Sequence, residues 1–372
     1  SNSSSVTFTV NSFLPIISFS SPSSGAISND NSLDILYSVS GSDIDSCWYS
    51  NDTMTSNTTL ASCANITAVT WSEASHTVIV YANNTGAFVG SGSISFEIDL
   101  TNPTLTINSP NNNTNSSNNG LNINYTAADN NLASCWYSND TMTVNTSLVG
   151  CSNITTVTWV EGSHTVKIYV NDSAGNNNQT SVSFNVDSVS PIVNITSPQN
   201  SAYTSDTGLD ITYLASDLNL DSCWYTNDTM TSNTTLAGCI NITGVTWSEG
   251  NHNVTIWTND TYGNLGNDIV TFTIYTTTPT ITIISPTNGT NTTNSLLDIN
   301  YVATDLNRAS CWYTNDTMTS NTTITSCANI TSVTWSVGDH NVTVWVNDTA
   351  GNKQNDFVTF TILPDIDNDG ID

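Results

Sequence analysis

The sequence predicts an all-β protein: four tandem immunoglobulin-like β-sandwich domains of about 88 residues, strung together as an extended rod. Three observations predict it. The chain repeats in phase, because the pairs Cys47/Cys63, Cys135/Cys151, Cys223/Cys239 and Cys311/Cys327 are each 16 residues apart and recur every 88. His76, His164, His252 and His340 keep that period, as do Pro15, Pro103, Pro191 and Pro279. A unit of this length is too long for a helical solenoid repeat and close to one β-sandwich. Within a unit the hydrophobic period is two: Val166, Ile168 and Val170 alternate with Thr165, Lys167 and Tyr169, and Val182, Phe184 and Val186 with Ser183 and Asn185. That is the pattern of half-buried antiparallel strands. Turn chemistry such as Ser109-Pro110, the stretch 111–120 and Gly175-Asn176 separates these runs.

The division follows from the phase. Residues 1–10 have the sequence of a final strand: Val6, Phe8 and Val10 stand 88 before Ile94, Phe96 and Ile98. They are either the last strand of a preceding repeat in a longer array or a donor strand that completes another copy head to tail. The sandwiches are then 11–100, 101–188, 189–276 and 277–363, and 364–372 is an acidic tail. Short linkers such as 99–102 run into the recurrent proline, which limits hinge freedom.

Along one unit, each cysteine pair reads as a local disulfide. Eight evenly paired cysteines point to an oxidising compartment. A lone pair 16 apart is a poor zinc pattern. The bridge would tie a central strand to the segment that leads into a later one, and is not the inter-sheet bridge of antibody domains. Trp48, Trp136, Trp224 and Trp312 share the parity of Ile44, Leu132 and Leu220, which places them in the cores. Trp71, Trp159, Trp247 and Trp335 end a Val-Thr-Trp run and are also expected inside. Tyr81, Tyr169, Trp257 and Trp345 fall on the polar parity and form an outward aromatic row. The histidines follow Glu73, Glu161, Glu249 and Asp339 closely. No nucleophile or further ligand recurs beside them, so they are expected to be structural, and no residue is nominated as catalytic.

Sequons are the loudest chemical signal, with Asn-x-Ser/Thr occurring 26 times. Four positions recur in every unit: Asn51, Asn139, Asn227 and Asn315; Asn57, Asn145, Asn233 and Asn321; Asn65, Asn153, Asn241 and Asn329; Asn83, Asn171, Asn259 and Asn347. Asn253 and Asn341 add outward positions on one strand. An Asn- and Thr-rich composition makes sequons by chance, and duplication copies accidents. Even so, the phase points to a coat of N-linked glycans on an exported chain.

Composition sets the outer bounds. Against 31 acidic residues there are three bases, Lys167, Lys353 and Arg308, for a net charge of -28. A nucleic-acid partner or an anionic membrane surface needs clustered Lys and Arg, so neither is expected. Hydrophobic residues at 37%, with ten Trp, supply real cores and argue against disorder. No apolar run is long enough to span a bilayer, so no membrane insertion is expected. A signal peptide is absent too, which suits a mature product or a fragment.

The run 161–176, EGSHTVKIYVNDSAGN, resembles the late-strand signature of bacterial and archaeal Ig-like repeats, and 135–140, CWYSND, resembles versions in archaeal surface proteins. The resemblance implies a large extracellular cell-surface protein. The tail, with Asp365, Asp367 and Asp369 before Gly370, resembles the start of a thrombospondin type 3 calcium repeat. Carboxylates at positions 1, 3 and 5 followed by Gly suit Ca²⁺, but the chain stops before the remaining ligands. The expected function is therefore structural: a glycosylated stalk or a subunit of an extracellular filament. The alternatives are an adhesin that binds carbohydrate or a partner cell, and the non-catalytic stalk of a larger secreted enzyme.

Overall fold

A computed structural model describes residues 4–5, 13–52, 55–228, 232–316 and 320–364. The expected assembly strand Val6, Phe8 and Val10 lies outside the described residues, as do the tail carboxylates Asp365, Asp367 and Asp369. The chain divides into two compact units, Ser1–Ser188 and Val189–Asp372, and each contains two sandwiches.

In the first sandwich the strands are β1 (Ile16–Ser21), β2 (Ala26–Ser28), β3 (Leu36–Ser40), β4 (Ile44–Asn51), β5 (Thr58–Leu60), β6 (Ala74–Asn84) and β7 (Val89–Ile98). The second repeats them as β8 (Thr104–Ser109), β9 (Thr114–Ser116), β10 (Asn124–Ala128), β11 (Leu132–Asn139), β12 (Thr146–Leu148), β13 (Gly162–Asp172) and β14 (Asn177–Val186). Here the antiparallel pair β8–β10 packs on a five-stranded sheet ordered β12-β11-β13-β14-β9, in which β9 runs parallel to β14. In the second unit the two-stranded sheets pair Ile192–Ser197 with Thr212–Ser216 and Thr280–Ser285 with Asn300–Thr304. The five-stranded order also recurs there, with Thr234–Leu236 and Thr322–Ile324 as edges. No helix of the described residues is long and apolar enough to cross a membrane.

Alternation builds the core as expected. Val166, Ile168 and Val170 of β13 are fully buried and pack with Val182, Phe184 and Val186 of β14. The two strands join in a tight turn. There Asp172 Oδ1 accepts the backbone N–H groups of Gly175 and Asn176 at 2.7 and 2.8 Å, and Gly175 has φ 98°. Only glycine adopts that backbone freely. Trp159 sits edge-on to Phe184, ring centres 5.0 Å apart, and its Nε1 donates to the Leu121 carbonyl at 2.8 Å. Trp71, Trp247 and Trp335 repeat the arrangement against Leu33, Leu209 and Leu297. The indole's one polar atom is thus satisfied inside the core.

Trp48, Trp136, Trp224 and Trp312 correct the expectation from parity. Between Leu132 and Ser134 the register of β11 against β13 shifts by a bulge. The same shift occurs at Ile44/Ser46, Leu220/Ser222 and Arg308/Ser310. One extra residue inverts every side chain beyond it. Cys135 therefore points into the core, while Trp136 turns outward opposite Tyr169.

Candidate functional site

The structure joins Cys47–Cys63, Cys135–Cys151, Cys223–Cys239 and Cys311–Cys327, with Cα atoms 5.1 Å apart in every pair. The first cysteine lies in the strand next to the sheet edge. The second ends a single 3-10 turn just after the edge strand, Val149–Cys151 in the second sandwich. In that turn Gly150 and Cys151 both have positive φ, 61° and 53°. At the Gly150 position the first and fourth sandwiches carry Ser62 and Ser326, also at positive φ. Each bridge thus pins a turn that the backbone alone disfavours.

Each histidine is a staple. His164 is buried. Its Nδ1 lies 3.0 Å from Asp140 Oδ2, and its Nε2 lies 2.7 Å from the Val160 carbonyl. The other carboxylate oxygen of Asp140 accepts the Thr165 N–H at 3.0 Å. His76–Asp52, His252–Asp228 and His340–Asp316 repeat it at 2.9, 3.1 and 3.1 Å. Both ring nitrogens lie within hydrogen-bond distance of fixed oxygen atoms, so the ring is locked in place and neither nitrogen faces an open site. Sequence reasoning missed these aspartates. Their signal was present, since Asn-Asp-Thr begins at 51, 139, 227 and 315 in phase with the histidines.

The neighbouring glutamates serve the linkers instead. Glu161 accepts the Ser188 hydroxyl and its backbone N–H, the latter at 2.9 Å. Glu249 does the same with Thr276, and Glu73 accepts the Thr101 hydroxyl. The Ser188 hydroxyl, then its N–H, hold the Glu161 carboxyl below its ordinary range, and Thr276 does so for Glu249.

Within the first unit the two sandwiches are bolted together. Asn176 Nδ2 donates across the junction to the Asp99 carbonyl at 2.8 Å, and to its own sandwich's Asp172 at 2.8 Å. Asn131 Nδ2 reaches back to Glu97 and Asp99 at 3.1 and 2.9 Å. Carboxylate oxygens of Asp99, Asp129 and Asp172 lie within 4.8 Å of one another there. In the second unit Asn352 makes the corresponding bond to the Tyr275 carbonyl at 2.8 Å. No local motif marks this cluster in the sequence, because its members are 30 and 43 residues apart.

The outer face of each five-stranded sheet carries an aromatic pair in cross-strand register. Trp136 lies on Tyr169 with ring centres 5.6 Å apart and planes 5° apart; Trp48–Tyr81 repeats this at 5.6 Å and 10°, Trp312–Trp345 at 6.2 Å and 2°. Trp224 pairs with Trp257 in the same register. All eight rings are half-buried.

The sequons divide by environment. Asn57, Asn145, Asn233 and Asn321 are exposed immediately before the edge strands. Asn65, Asn153, Asn241 and Asn329 are exposed as well, and their Oδ1 atoms accept the backbone N–H of Tyr37, Tyr125, Tyr213 and Tyr301 at 3.0–3.1 Å. Asn83, Asn171, Asn259 and Asn347 are half-buried and accept the hydroxyls of Ser46, Ser134, Ser222 and Ser310. Asn51, Asn139, Asn227 and Asn315 end their strands half-buried. Asn253 and Asn341 turn Oδ1 inward without a hydrogen-bond partner.

No family model matches the chain, and no curated protein matches it. Among solved structures it is similar to a tetra-tandem repeat from the extending region of a large adhesion protein, at 16% identity and TM-score 0.32, over 94% of this chain and 99% of that one. It is also similar to extracellular cadherin domains 3–6 of protocadherin gamma B2, at 12% identity and TM-score 0.30, over 94% and 100%. Fibronectin(III)-like modules of Clostridium thermocellum CbhA match at 19% identity and TM-score 0.31, over 46% and 94%.

Proposed function

We infer that the chain is a structural extracellular protein, a glycosylated cell-surface stalk or a subunit of an extracellular filament. The supporting observation is the way consecutive sandwiches are joined. Each sandwich has its own core and its own disulfide, and within a unit an asparagine fastens one sandwich to the last backbone carbonyl groups of the one before. Such a chain transmits force and spacing, with each domain stable by itself. Donor-strand contact through Val6, Phe8 and Val10 would link copies head to tail, and Asp365, Asp367 and Asp369 would begin a Ca²⁺ loop.

Electron microscopy of the secreted full chain tests the reading. Elongated particles or filaments, with an intact mass well above 39.8 kDa, are expected. Compact globules at the bare polypeptide mass would refute it. An adhesin role is the second reading, favoured by the aromatic rows, and a glycan array separates the two.

A further inference from the structure

We propose that the N-linked saccharide at Asn145 lies over the Trp136–Tyr169 stack of its own sandwich, and that Asn57, Asn233 and Asn321 do the same in theirs. The proposal rests on the extracellular, glycosylated reading above and adds which sequon is used and what its sugar covers.

Register carries it. The hydroxyl residue of each of these sequons pairs directly across the sheet with an outward indole: Thr59 with Trp48, Ser147 with Trp136, Thr235 with Trp224 and Thr323 with Trp312. Directly opposed residues of an antiparallel pair share one face. The row continues through Tyr81, Tyr169, Trp257 and Trp345 to Ser91, Gln179, Asn267 and Asn355. Each row thus starts with the sequon, crosses two aromatic rings and ends on a small or hydrogen-bonding side chain.

There is room for the occupant. Beside Trp136 a depression of about 580 Å³ is bounded by Asn145, Ser147 and Leu148, with the Cys135–Cys151 bridge at its side. In the third sandwich a depression of about 570 Å³ is lined by Trp224, Trp257, Asn233 and Asn267. An aromatic face is electron-rich, and the apolar face of a pyranose presents C–H groups carrying partial positive charge, so the two stack. The hydroxyl rim of the sugar then meets the amide or hydroxyl at the end of the row. Two half-buried rings side by side form an apolar patch, widened in the third sandwich by the exposed Leu265 and Ile269, that a saccharide would cover. An occupant tethered at Asn145 does not have to be captured from solution.

The covalent step needs a lipid-pyrophosphate-linked oligosaccharide and a transferase outside this chain. Asn145 Nδ2 bonds to the anomeric carbon and loses a proton. The bond from that carbon to the phosphate oxygen breaks, and the lipid pyrophosphate leaves.

The test uses the full chain secreted from a host with an oligosaccharyltransferase, compared with N145Q and S147A, either of which destroys the sequon. Glycopeptide mapping reads occupancy, and hydroxyl-radical footprinting reads the exposure of each tryptophan. Glycan at Asn145 and a severalfold rise in Trp136 oxidation in both variants are expected, with the core Trp159 unchanged as the folding control. A bare Asn145 beside occupied sequons elsewhere overturns the proposal and leaves the extracellular reading standing. Bare peptides throughout overturn both. An occupied Asn145 with equal Trp136 oxidation in all three proteins overturns the stacking, and leaves the row open to a free saccharide.

Discussion

Replacing Cys135 and Cys151 together by alanine should destabilise the second sandwich and leave the other three intact. The bridge closes a loop of 16 residues. Releasing a loop of that length from the unfolded state costs about 3 kcal/mol in the chain-entropy model. Cys135 is also 2% exposed, and the void left by its sulfur adds roughly 1 kcal/mol. For a domain of this size the sum corresponds to a fall in melting temperature of roughly 15–25 °C. Little opposes the loss, because only three residue pairs join β12 to β11 and the turn beyond holds two left-handed residues. Differential scanning calorimetry of the full chain should show one early transition carrying about a quarter of the unfolding enthalpy. Adding a reductant should then leave that transition in place and draw the other three toward it. A shift under about 5 °C would refute the reasoning, as would a reductant with no effect on the remaining domains.

Asp140→Ala leaves the buried His164 Nδ1 and the Thr165 N–H without their acceptor, so the urea midpoint of that sandwich should fall by the equivalent of about 2 kcal/mol. An unchanged midpoint would show that the staple contributes nothing. Ser326→Gly relieves a left-handed residue where the sister domains already have Gly150 and Gly238, and should raise stability by about 0.5–1 kcal/mol; a lower melting temperature counts against the assigned turn. The folded carboxyl of Glu161 is held below its ordinary range, so its contribution is present above that range and lost as pH falls through the folded value. E161Q should therefore melt below the wild type at neutral pH, and the gap should close in acid. A gap that does not change with pH would remove Glu161 from the linker clamp.

The sandwich cores were legible because their signal is local and periodic. Val166 to Val170 and Val182 to Val186 show their faces by alternation alone. The cysteine pairing was legible for a different reason: equal spacing in four copies leaves one economical arrangement. Trp136 was misplaced because alternation is counted along a strand, and a bulge breaks the count without changing composition. Nothing in the residues 132–134 announces it, and three of the four units carry a leucine or isoleucine where the shift begins. Asp140 and Asp99 were missed because their partners come from distant strands, 24 and 77 residues away. The repeat could have supplied Asp140, which keeps phase with its histidine. It could not have supplied Asp99 throughout, because Asp187 keeps the phase but Tyr275 occupies that place at the third junction.

The outer aromatic row, the sequon and the sheet edge meet at one place, and their physics converges. A sheet edge exposes unpaired backbone groups and invites pairing with another chain, which proteins commonly oppose with charge. This chain has little charge to spend, with 9% charged residues and three bases. Its edges beside Trp48, Trp136, Trp224 and Trp312 are instead three residues long and rich in Ser and Thr. Every one of them begins directly after a sequon asparagine. A saccharide at that asparagine, stacked inward over the indole as proposed, would hydrate the face and block lateral approach to the edge at once. Loss of the Asn145 glycan should then do more than expose Trp136. It should make N145Q associate through a sheet edge at high concentration, whereas a glycan that merely decorated the loop would leave the chain monodisperse. Sedimentation velocity of the two proteins over a concentration series distinguishes these outcomes.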